Sequence, residues 1–148
     1  MKRSIRDTSA FSLIEVTIAL GIAAFCLIAV IGLIPVGVKT NRDAASQTAA
    51  TNIMAAVISD LRATSPLKAS SAQFGINYTT PPTQTRYFDA YGTPTISLTT
   101  NSRYRLDITW NAAPPGSRYA DLKVWWPAAS TAANASGSTE MFAAFDRN

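Results

Sequence analysis

Val16-Thr-Ile-Ala-Leu-Gly-Ile-Ala-Ala-Phe-Cys-Leu-Ile-Ala-Val-Ile-Gly-Leu-Ile-Pro-Val-Gly-Val38 carries no charged side chain, and reading it settles what kind of protein this is. A helix that crosses the hydrocarbon of a bilayer needs about 20 consecutive apolar residues, and this run supplies them. It is apolar on every side. A helix of that kind is either buried in a large core or lies in lipid. The downstream chain is short and rich in Ser, Thr and Asn, too little to wrap such a helix. The run therefore reads as a membrane span.

Its flanks set the expected direction. Lys2, Arg3 and Arg6 precede the run, and Lys39 and Arg42 follow it. Positive charge favours the cytoplasmic side, so the amino terminus is expected inside the cytoplasmic membrane and the remainder outside, as a single pass. Two common export signals do not fit. A secretory signal has an apolar core of about 7–15 residues and a small-x-small cleavage site, whereas this run is longer and ends in Pro35-Val-Gly-Val-Lys39. A lipidated cysteine needs a small residue before it, and Phe25 precedes Cys26.

The string Ala10-Phe11-Ser12-Leu13-Ile14-Glu15-Val16-Thr17-Ile18-Ala19-Leu20 resembles the prepilin motif of type IV pilins and type II secretion pseudopilins. The resemblance implies a leader of residues 1–10, removed by a prepilin peptidase between Ala10 and Phe11, with N-methylation of the new terminus at Phe11. Ala10 stands where glycine is usual. It also implies that Glu15 is the family's single acidic residue in the apolar segment, and that the partners are membrane lipid and other pilin or pseudopilin subunits. A looser similarity, in Leu33-Ile-Pro-Val-Gly37 after the motif, is to the Verru_Chthon cassette protein B class, and Tyr87-Phe-Asp-Ala-Tyr-Gly92 resembles the turn entering the sheet of minor pseudopilins.

Glu15 has a physical reading of its own. A carboxylate deep in lipid costs on the order of 3 kcal/mol. If the chain is cut after Ala10, Phe11 gains an amine, and Glu15 of one chain can neutralise that amine on a neighbour, which also fixes their axial offset. The alternative is that Glu15 only reaches toward the headgroups.

Beyond Val38, Ala45, Ala49, Ile53, Val57 and Leu61 recur every fourth residue, with Met54 and Ile58 beside them and Asn52, Asp60 and Arg62 on other faces. This predicts an amphipathic continuation of the helix over 39–65, closed by Ser65-Pro66. A helix running from Phe11 to Arg62 would be about 78 Å long. Pro35 and Gly37 are expected to kink or locally melt it; otherwise Pro35 ends the span and two helices result.

Residues 66–148 read as a β-rich domain. Residues 66–85 form a loop rich in Ser, Thr, Pro and Gln. Period-two alternation then predicts strands at Ile96–Thr99, Tyr104–Trp110 and Leu122–Trp126, the last two joined as a hairpin through Asn111–Gly116. Pro127–Thr139 reads as a mobile loop, and Met141, Phe142 and Phe145 as a last strand. The predicted fold is α+β and pilin-like, a long apolar N-terminal helix packed on a small antiparallel sheet.

Chemistry is sparse. Histidine is absent and Cys26 is the only cysteine. This excludes His-based nucleophile activation, an internal disulfide and a Cys-based zinc site, and no cofactor is expected. Asp89, Asp107, Asp121 and Asp146 lack the regular spacing of a calcium loop. Asp107 and Lys123 read as cross-strand partners. Trp125 points opposite to Val124 and Trp126, which leaves it as a binding face for a glycan or partner, or for a neighbouring subunit to cover. Arg103, Arg105 and Lys123 read as a solvated sheet face, and the net charge of +4 is too dispersed for nucleic acid. The expected function is that of a structural filament subunit and not an enzyme; the alternative is a membrane-anchored binding module with an uncleaved anchor that uses Trp125.

Overall fold

The computed structural model describes residues 12–65, 67–78, 82–111 and 117–146. The expected cleavage junction Ala10-Phe11 lies outside them, as do residues 112–116, which link Asn111 to Ser117. The chain forms two compact units, residues 1–41 and 42–148, and the division falls within a single α-helix, α1, Leu13–Ala63.

In the first unit α1 runs unbroken through Pro35 and Gly37. The helix therefore neither melts nor ends at Pro35, as the sequence had suggested. Proline leaves the carbonyl four residues earlier, that of Ile31, without its donor.

In the second unit the end of α1 packs on a five-stranded antiparallel sheet in the order β2-β1-β3-β4-β5: β1 Thr83–Phe88, β2 Pro94–Thr95, β3 Tyr104–Asn111, β4 Ser117–Trp126 and β5 Gly137–Asp146. The fold is thus α+β, arranged like a pilin, as expected. Alternation places Tyr104, Leu106, Ile108 and Trp110 on the buried face of β3, with Leu106 opposite Val124 and Ile108 opposite Leu122. Ala143 and Phe145 of β5 continue that face. Each large apolar side chain fully buried here contributes about 1.5–3 kcal/mol.

The helical face that covers the sheet is Ser46, Ala50, Ile53, Met54, Val57, Ile58 and Leu61. Ala45 is exposed and Ala49 only partly buried. Four residues turn a helix by about 400°, so a strict every-fourth row drifts around the rod, whereas the true contact stripe alternates steps of three and four.

Three strand assignments differ from the sequence reading. Strand β1 begins inside the stretch read as a loop; one polar residue, Gln84, is buried there because it has partners. Buried Gln84 brackets Asn77, accepting from its N–H at 2.8 Å and donating to its carbonyl at 2.6 Å. The Ile96–Thr99 strand does not form. Its place is taken by the two-residue β2 just before it, and Ile96 is 80% exposed. The supposed loop 127–139 ends in β5, which starts at Gly137 opposite Trp126. A Cβ at Gly137 would lie 2.3 Å from the Trp126 ring, so only glycine admits this contact. Phe142, expected to dock with the last strand, belongs to β5 but points outward.

Residues 67–78 are the least predictable part. Phe74, Ile76 and Tyr78 are buried, and their alternation within a Ser- and Gln-rich run was the available signal. Asp60, assigned by periodicity to an outer face, is buried instead. Its carboxylate accepts from the Gln73 N–H at 3.1 Å and the Phe74 N–H at 3.0 Å. Arg86 donates to the Phe74 and Gly75 carbonyls at 2.9 and 2.6 Å. The helix end is closed by Thr64 Oγ1 donating to the Asp60 carbonyl at 2.7 Å and by Tyr78 Oη donating to the Leu61 carbonyl at 2.8 Å. These satisfy carbonyls that a helix C-terminus otherwise leaves open. Charge-assisted hydrogen bonds contribute about 1.5–3 kcal/mol each. Asp60→Ala is therefore expected to destabilise the second unit by about 2–3 kcal/mol, read as an earlier loss of near-UV circular dichroism on heating the full chain in detergent.

Candidate functional site

The first candidate is the surface of α1 in the first unit. Helix residues from Leu13 to Val38 are all exposed, including Leu13, Ile14, Phe25, Ile28 and Leu33. A window of this helix has a mean hydropathy of 2.7 with none of it buried, so α1 is long and apolar enough to cross a membrane. Residues 16–38 at about 1.5 Å each span about 34 Å, against about 30 Å of bilayer hydrocarbon.

Glu15 is the one charge in this surface up to Val38. It sits in the first turn, where its N–H and that of Val16 reach the Ser12 carbonyl at 3.0 and 3.2 Å. An acidic group there faces the positive end of the helix dipole. Among the described residues no cation pairs with it. Other polar groups in the rod turn inward on the backbone: Thr17 donates to the Ile14 carbonyl at 2.9 Å, and Thr40 to that of Val36 at 2.9 Å. Among the described residues Glu15 has no such internal outlet. Cys26 is exposed on the same surface.

The second candidate was the face of Trp125, and the structure overturns it. Trp125 is only 4% exposed. The chain after β4 folds over it: Trp125 Nε1 donates to the Ser130 carbonyl at 3.1 Å, and Ala128, held by its N–H to the Arg103 carbonyl at 2.9 Å, is buried alongside. The guanidinium of Arg105 lies 4.9 Å from the Trp125 ring centre. Alternation correctly assigned Trp125 to the outer face; residues 127–130 then cover that face.

The basic residues of the sheet are likewise engaged. Arg105 pairs with Asp107 at 3.2 Å. Arg103 donates to Ser46 Oγ at 3.0 Å. Lys123 stands opposite Asp107 in register, as expected, but its ammonium meets Glu140 of β5 at 3.3 Å. Such exposed pairs contribute about 0–1 kcal/mol and act mainly on register. Asp89 closes the β1–β2 turn, accepting from the Tyr91 and Thr93 N–H groups at 2.8 Å each. Those bonds, that from Thr93 first, hold its carboxyl below the usual range. Gly92 there adopts a φ of 84°, a conformation that favours glycine.

An open cleft of about 380 Å³ lies between α1 and that turn, lined by Ala49, Ile53, Phe88, Tyr91 and Tyr104 among others. It holds no titratable pair suited to acid–base work. Among the described residues no cluster of three metal-ligating side chains occurs. No family model, curated protein or solved structure matches the chain.

Among the described residues Asp121 on β4 is the one carboxyl pushed upward. Desolvation is the main cause, and the nearby Glu140 carboxylate adds to it. Its Oδ1 is closed off from solvent and unpartnered among the described residues. An acid raised in the folded state binds more protons folded than unfolded, so stability falls as pH rises above the ordinary aspartate range. Asp121→Asn is expected to raise the melting temperature at pH 7. The gain should vanish below about pH 4, where Asp121 is protonated in both states; thermal melts across that range check it.

Proposed function

We propose that this chain is a structural subunit of a filament of the type IV pilus or type II secretion class, made as a prepilin and assembled by packing of its N-terminal helix. The observation that carries this reading is the pairing of an exposed, all-round apolar helix surface with one carboxylate, Glu15, in its first turn that has no partner among the described residues. An apolar surface of this kind finds shelter in two settings, lipid and a bundle of like helices. The carboxylate distinguishes them. In lipid it is a cost; in a bundle it meets the amine that cleavage between Ala10 and Phe11 creates on a neighbour.

In this reading prepilin peptidase removes residues 1–10 at the cytoplasmic face and Phe11 is N-methylated. The helix holds the subunit as a single pass, with the β-rich unit outside the membrane. Pairing Glu15 with the neighbouring amine removes two unfavourable charges together and sets the axial step between subunits, because any other offset leaves both groups unpaired. The second unit requires no catalytic group for this role. The rival reading, an anchored binding module, relied on Trp125 as its contact face, and that ring is covered within the chain.

The mass of the N-terminal peptide from protein isolated out of its native membrane tests the proposal. A terminus at methylated Phe11 is expected, and an intact leader would contradict it. Glu15→Gln should leave the apolar helix inserted yet lower incorporation into sedimentable filaments about tenfold or more, the equivalent of losing about 1.4 kcal/mol or more. Unchanged incorporation would remove the pairing role.

A further inference from the structure

The sheet of the second unit ends in two unlike edges. At one edge is β5, Gly137–Asp146, a ten-residue strand paired only with β4 among the described residues. Open edges are usually blunted by lysine, proline, a bulge or shortness. Strand β5 has neither lysine nor proline and, between its ends, a single charge at Glu140. Beside it runs a shallow groove of about 670 Å³ between strand and helix, lined by Ala55, Ile58, Ser59, Arg62, Met141 and Phe142 among others. Phe142 is 63% exposed.

At the other edge β2 is two residues long and contains Pro94, so it is blunted. Immediately after it comes Ile96-Ser-Leu-Thr99, the segment whose alternation predicts a strand. It belongs to no strand in the structure; Ile96 is 80% and Leu98 48% exposed. A turn in which the Ser102 N–H reaches the Thr99 carbonyl at 3.1 Å closes the segment. It has β-forming composition and no charge, and it leaves the sheet after Thr95 instead of continuing along β1.

We infer that Ile96–Thr99 of one copy adds as a further strand to the β5 edge of a second copy, with Ile96 and Leu98 seated in the groove between β5 and α1. A strand added beside β5 lies about 4.8 Å from it, over the groove. Residues 96 and 98 then point to the same side, toward Ile58 and Met141, while Ser97 and Thr99 face outward. The donor and acceptor edges lie at opposite ends of one sheet. Each copy therefore gives with one edge and receives with the other, a heterologous contact that propagates without closing when its rotation does not return on itself. The contact rests on the filament reading for the identity of its partner, a second copy. It adds to that reading an interaction outside the membrane, independent of Glu15.

Full-length chains in native membranes test it. Two populations are co-expressed in a Cys26→Ser background, one carrying Ile96→Cys and the other Met141→Cys. They are treated with a short bismaleimide. Both positions are at least partly exposed, and near-UV circular dichroism of the purified variants checks that each retains its fold. The expected result is a mixed dimer joining the two variants, reduced at least tenfold when Leu98→Asp is added to the Ile96→Cys chain. Dimers only between two Met141→Cys chains would mean that β5 pairs with itself and overturn the inference, as would no cross-link or one only to a different protein. The N-terminal mass of the same sample separates the two claims. A processed chain without the mixed dimer removes this contact alone; an unprocessed chain removes the filament reading.

Discussion

A surface apolar on all sides cannot be left in water, and among the described residues none covers residues 13–38. At about 25 cal/mol per Å² of apolar area, such a surface outweighs the few kcal/mol by which a small domain is stable. The chain must therefore meet lipid or other helices before it can exist as a monodisperse species. Every later choice follows from that. The helix keeps its hydroxyls bonded to its own backbone, carries no cation until Lys39, and continues through Pro35 without interruption. The exception is Glu15, which is where the proposed assembly contact is placed.

The β-rich unit answers a different constraint. With about a hundred residues, it has little apolar surface to spend on connections, so polar side chains organise them instead. Asp60 gathers two backbone N–H groups of the segment after α1, Gln84 brackets Asn77, and Arg86 ties the Phe74 and Gly75 carbonyls. Arg118 reaches the Tyr78 carbonyl from β4. Burial lowers the Arg86 pKa from its ordinary value while leaving the guanidinium protonated. These groups turn a Ser- and Gln-rich stretch into an ordered wall of the core.

That division explains what could be read beforehand. Strands β3 and β4 were legible because one face meets the helix and the other meets polar surroundings, so burial alternates with the sequence. The helix was legible for its period, although the contact stripe runs through Ser46 and Ala50, with Ala49 only at its margin and Ala45 outside it, since a serine at the start of a stripe gives no hydropathy signal. Asp60 and Gln84 were not legible, because buried polar residues owe their place to partners far along the chain. Trp125 was placed on the correct face but given the wrong environment, since alternation says nothing about the loop that folds back over it. Ile96–Thr99 shows the opposite case: the local pattern favours a strand, yet the chain turns away from β1 after Thr95. The motif around Glu15 was legible as a pattern, and the structure adds that the carboxylate lies in the first turn of an uncovered helix with no cation beside it among the described residues.

Cys26 lies near the middle of the apolar run and is exposed on the helix surface, which makes it a reporter of what surrounds that surface. In intact membranes, a charged, membrane-impermeant maleimide should leave Cys26 unlabelled, with full labelling after the membranes are dissolved in denaturant. Rapid labelling in intact membranes would place the middle of this helix in water and contradict the account at its root.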